Sequence, residues 1–112
     1  MVLYEQVVVF HPSKKDLHEI HAYIVNELQN TSAAMDVLAN ITKRSRSLTG
    51  FPFIGAPLAS VVEVETDYRF IVCGNYTVFY RYDNETIYVI RVLYSRRDFA
   101  KILFGQKQED DE

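Results

Sequence analysis

The chain has 112 residues, 48% hydrophobic and 24% charged, with a formal net charge of −3, which suits one globular domain and excludes a cofactor domain joined to a separate substrate domain. No apolar run approaches the roughly 18 residues of a membrane helix, and the start MVLYEQVVVF lacks the basic region and cleavage site of a signal peptide, so a cytoplasmic protein is expected. The lone cysteine, Cys73, excludes a disulfide framework and a cysteine-built zinc site, leaving it as a small buried hydrophobe.

Tyr4 to Phe10 is β-rich and halts at His11-Pro12, where proline removes a ladder donor, giving a first strand. Ser13 suits an N-cap with Asp16 three residues on, and Leu17, Ile20, Ile24 and Leu28 recur at helical spacing, predicting a helix from Ser13 to Leu28. Gln29-Asn30-Thr31-Ser32 breaks that pattern and supplies a second N-cap. Ala34, Leu38, Ile41 and Leu48 then mark one face of a second helix, with Lys43, Arg44 and Arg46 near its end and Gly50 placed to terminate it. The segment from Phe51 to Leu58 reads as a connector pinned to the core by Phe51 and Phe53.

Strands are predicted at 61–65, 68–73, 76–82 and 86–94, with Gly74-Asn75 and Asp83-Asn84-Glu85 as hairpin turns. Phe99, Ile102 and Leu103 predict a short third helix. The fold class is therefore α+β: an N-terminal strand, a two-helix hairpin, an antiparallel sheet of three to four twisted strands and a short C-terminal helix, with one sheet face partly open. Residues 1–104 form the single domain. From Gly105 onward Lys107 opposes Glu109, Asp110, Asp111 and Glu112, so this tail carries the −3 and the domain is neutral.

Side-chain alternation groups Arg69, Ile71 and Cys73 on one strand face, Thr77, Phe79 and Arg81 on the next, and Val89, Arg91 and Leu93 on the last. Because arginine is rarely buried, these sets are assigned to the open face, and Phe70, Val72, Val78, Tyr80, Ile90 and Val92 to the helices. Gathered there, Arg69, Arg81 and Arg91, with Arg96 and Arg97 at the rim, would form a basic concavity suited to phosphate or carboxylate. Solvated pairing with Glu63, Glu65, Asp67 and Asp98 is the alternative. Tyr94, just before the arginine pair, could carry a proton. His18 and His21 lie three apart on the first helix with His11 upstream, but this pair has no third ligand at a recognisable spacing, so neither a metal nor another cofactor is expected.

In sequence order, Lys15-Asp16-Leu17 with Ile20 and Tyr23-Ile24, Ala33-Ala34, Leu48 with Phe51-Pro52, Gly55 with Pro57-Leu58, Tyr68-Arg69, Gly74-Asn75-Tyr76, Phe79-Tyr80 and Arg91-Val92-Leu93 leading to Arg96-Arg97-Asp98 resemble the RelE/ParE superfamily of bacterial toxin–antitoxin toxins, on the ParE side. The resemblance implies a helical hairpin on an antiparallel sheet and a toxin neutralised by a small antitoxin, with which a heterotetramer is expected. Its targets divide the superfamily: RelE-like members cut messenger RNA on the ribosome, and ParE-like members poison DNA gyrase. A ribonuclease would use Arg69, Arg81, Arg91, Tyr94 and Arg96 as catalytic groups; partner binding would use Arg69, Arg91, Arg96, Arg97 and Phe99. Ile71 and Thr77 stand where the ribonucleases carry bases, and Tyr94 where many relatives carry histidine, which favours gyrase inhibition by binding. A degenerate, non-toxic antitoxin-binding member is the remaining alternative.

Overall fold

The computed structural model describes residues 6–105; the expected start of the first strand at Tyr4 and the acidic tail beyond Gly105 lie outside them. Helix α1 (His11–Glu27) and helix α2 (Thr31–Ser47) follow strand β1 (Gln6–Val9). Then come the two-residue strand β2 (Ala56–Pro57), a 3₁₀ turn (Leu58–Ser60), β3 (Arg69–Cys73), β4 (Tyr76–Asp83), β5 (Thr86–Tyr94) and helix α3 (Phe99–Phe104). The sheet order is β1-β5-β4-β3-β2, with β1 parallel to β5 and every other pair antiparallel. It is thus the expected α+β fold: β2 to β5 form the antiparallel sheet of up to four strands, and the expected N-terminal strand joins it as a fifth, parallel member, which makes the sheet mixed. The predicted strand at 61–65 is absent; the edge position is taken by Ala56-Pro57, where proline needs to donate nothing outward.

Both hairpins close with two residues. Gly74 has φ +62, while Asn84 and Glu85 have φ +53 and +63, the left-handed pair of a type I′ turn. Between Phe79 and Tyr80 the register jumps from Arg91 to Val89, leaving Ile90 as an extra residue on β5. This bulge shifts the alternation, so Ile87 and Val89 before it and Val92 after it all face the helices.

α1 starts earlier than expected. Phe10 occupies the N-cap and Pro12 sits in the first turn, where its missing N–H costs nothing. Ser13 is therefore not a cap but is fully buried, and its hydroxyl donates to the Val89 carbonyl at 3.0 Å. Asn30 does cap α2, accepting from the Ala33 N–H. Gly50 does not end α2: the helix stops at Ser47, and the hydroxyls of Ser45, Ser47 and Thr49 donate to carbonyls of its last turns.

Two cores result. Ile20, Ile24, Ala34, Ile41 and Leu48 pack on Ile71, Val78, Tyr80, Ile87, Val89 and Val92 on the helical side. On the other face Leu58, Phe79 and Leu93 are buried beneath Val62, Tyr68, Phe70, Phe99, Ile102, Leu103 and Phe104. The expected open face is thus largely roofed by α3 and the 58–68 connection, because Phe79 and Leu93 carry too much apolar area to leave in water. No helix among the described residues is long and apolar enough to cross a membrane.

Candidate functional site

The structure does not gather the arginines. Arg69 lies on the helical face with Ile71 and Cys73, opposite its assignment, since its strand partner Tyr80 is fully buried there. Its Nη1 donates to the Gly55 carbonyl at 2.6 Å and the Phe53 carbonyl at 3.2 Å, with the guanidinium 5.0 Å from the Phe53 ring centroid. Tyr80 completes the clamp: its hydroxyl donates to Pro52 and accepts from the Gly55 N–H. These bonds hold the 51–55 loop by its backbone, and Phe51, Phe53 and Ile54 stand exposed rather than pinned into the core.

Arg81 lies on the opposite face as expected, paired at 2.8 Å with Asp67 and more loosely with Asp83. The guanidinium hydrogen bond holds the Asp67 carboxyl below its ordinary value and raises Arg81 in return. Arg91 reaches α1. Its Nε and Nη2 donate to the two oxygens of Asp16 at 2.7 and 2.8 Å, which raises the Arg91 pKa. Asp16 also accepts from the Val92 N–H at 3.0 Å. Its expected role at the helix start is replaced by one on the sheet: the Val89 carbonyl takes the Phe10 N–H at 3.1 Å and the Ser13 hydroxyl as a second donor, and beyond it Asp16 supplies the acceptor that a longer β1 would have given the Val92 N–H.

Of the remaining expected site residues, Phe99 packs in the second core, its ring 5.4 Å from Phe79. Arg96 and Arg97 are exposed on the turn after β5, where the Arg97 N–H donates to the Tyr94 carbonyl. Tyr94 faces the helical side, its ring 6.0 Å from Tyr76. A groove of about 550 Å³ opens there between α1 and the end of β5, lined by Asp16, Glu19, Ile20, Tyr23, Leu28, Asn75, Tyr76, Val92, Leu93, Tyr94 and Arg97. Burial, and then the neighbouring Tyr23 and Tyr94, raise the Tyr76 phenol above its ordinary value. Sequence reasoning found Tyr94 and Arg97 but missed Glu19, Tyr23 and Tyr76, whose i, i+4 helical spacing (Glu19 and Tyr23) and place after a tight turn (Tyr76) were the available signals. Among the described residues no group of three or more His, Cys, Asp or Glu is placed to hold a metal.

Comparison with known proteins places this arrangement. A family model described as the ParE toxin of the type II toxin–antitoxin system parDE matches residues 8–99. The chain belongs to that toxin family. Among solved structures, a chain titled "Chromosomal ParDE TA system from P. aeruginosa" superposes with a TM-score of 0.66 at 18% identity, covering 80% of this chain and 94% of that one, which shows a shared fold. No curated protein matches the chain.

Proposed function

We propose that this type II toxin is held inactive by a small cognate antitoxin and, once released, arrests growth by binding DNA gyrase. The family match supports the toxin class and the antitoxin partner. The choice of binding over message cleavage rests on one observation: Arg69, Arg81 and Arg91 are committed to three different partners, namely loop carbonyls, Asp67 and Asp16.

Cleavage of RNA without a metal needs several cations aimed at one developing phosphorane, and each such contact is worth on the order of a hundredfold in rate. Guanidiniums already bonded to loop carbonyls (Arg69) or paired with carboxylates (Arg81 and Arg91), and divided between two sheet faces, do not supply that field. Arg96 and Arg97 remain as a small exposed basic turn beside Tyr94, a surface suited to docking. Purified protein added to gyrase should block supercoiling and stabilise a cleaved DNA complex; gyrase left unaffected by the antitoxin-free toxin overturns the reading.

A further inference from the structure

We propose that the groove between α1 and the end of β5 takes an extended segment of a partner protein, running parallel to β5 and clamped through one residue to Val92 and Tyr94. This inference does not depend on gyrase being the target.

The argument starts from the phase of the β4–β5 ladder. The Val92 N–H points away from β4 to Asp16, and the Ser95 N–H points toward it, donating to the Asn75 carbonyl at 2.9 Å. Alternation then turns the backbone of Leu93 toward β4 and that of Val92 and Tyr94 toward the groove they line. Four backbone groups face this way, and two are taken: the Val92 N–H by Asp16 and the Tyr94 carbonyl by the Arg97 N–H, at 2.9 Å. The Val92 carbonyl and the Tyr94 N–H remain among the described residues, since β1 ends at Val9 opposite Val89 while β5 runs on to Tyr94.

That remainder selects a direction. An antiparallel partner bonds both the N–H and the C=O of a single residue, which neither Val92 nor Tyr94 still offers. A parallel partner uses the carbonyl of one residue and the N–H of the second residue after it, which is the pair left open. Strand addition of this kind gives affinity through the backbone and specificity through alternate side chains. The volume of about 550 Å³ is of the size that ligand sites use.

The chemistry of the partner follows from the walls. The partner residue after the clamped one lies opposite Tyr94, so its side chain points toward Tyr94, Tyr76 and Tyr23, with Glu19 on the α1 wall. Three aromatic rings and a carboxylate favour a guanidinium or ammonium there. Arg97, at the strand exit, disfavours a second base further along.

The test is a titration of the isotopically labelled protein with acetyl-Val-Val-Arg-Val-amide, followed by backbone amide NMR. Saturable shifts centred on Leu93, Tyr94, Tyr23 and Glu19 are expected. N-methylation of the second valine, which deletes the donor to the Val92 carbonyl, should weaken binding by about tenfold or more. Glu19→Gln should weaken the arginine peptide by about three- to fivefold and leave a norleucine analogue unchanged. A spin label at the peptide's C-terminus should broaden Asn75 and Ser95. Absence of saturation at millimolar peptide, equal binding of the N-methylated form, or broadening confined to the β1 end of the groove overturns the proposal. Equal binding of the arginine and norleucine peptides overturns the cationic specificity.

Discussion

Asp16→Ala tests how the sheet is completed. Asp16 is 5% exposed and its side chain serves three donors, two on Arg91 and the Val92 N–H. Removing one partner of a buried ion pair costs about 3–5 kcal/mol because the other charge is stranded. The Arg91 side chain keeps a quarter of its exposure and regains some hydration, so the lower end applies, about 3 kcal/mol including the orphaned Val92 N–H. At about 4 °C per kcal/mol for a domain of this size, the melting midpoint should fall by about 12 °C. Asp67→Ala is the internal control. It breaks an equally short contact to Arg81, but the two side chains are 33% and 60% exposed, so the cost should stay below about 1 kcal/mol. Chemical denaturation of both variants, with Arg91→Met added to form a double-mutant cycle, gives the comparison. An Asp16→Ala cost no larger than that of Asp67→Ala, or a coupling to Arg91 below about 1 kcal/mol, would refute the reasoning.

Gly55→Ala should destabilise the fold by roughly 1–3 kcal/mol, because an added Cβ would lie 2.6 Å from the buried Tyr80 hydroxyl and 2.8 Å from the Phe70 carbonyl; thermal melts check it, and a neutral result would mean that the 51–55 loop can shift freely. Glu85→Gly should stabilise by about 1 kcal/mol, since Glu85 holds φ +63 in a type I′ turn where glycine carries no steric cost; a loss of stability in denaturant titration would contradict that. Burial is the first cause raising the phenols of Tyr76 and Tyr80 above their ordinary value. A raised folded pKa contributes stability that is complete below the unfolded value and lost above it, so stability should be flat up to about pH 10 and fall beyond it. Tyr80→Phe should reduce that alkaline slope, and an unchanged slope would show that another group titrates.

The hairpin of helices, the strands β3 to β5 and both tight turns were legible because periodicity and turn chemistry are local. What failed was non-local. Ile90 inserts into β5 only because of how β4 pairs with it, and nothing in the run TIYVIRVLY marks which residue bulges, so the grouping of Val89, Arg91 and Leu93 on one face broke there. Arg69 was placed on the open face by the rule that arginine avoids burial; its strand alternation instead put it beneath the 51–55 loop, whose carbonyls satisfy it. Asp16 read as a helix-start residue because the spacing from Ser13 suits one, yet Pro12 let the helix begin earlier and released both side chains to the sheet edge. Of the expected site, Tyr94 and Arg97 do share a groove, while Phe99 is drawn into the second core by Phe79.

The central claim, growth arrest without message cleavage, is tested most directly by primer extension on translated messenger RNA from cells expressing this chain without its antitoxin. At expression levels that stop growth, the account predicts full-length products with no new 5′ ends at ribosomal A sites. A-site cuts that disappear with Arg69→Ala plus Arg96→Ala would contradict it, since a dispersed set of arginines would then be performing the catalysis.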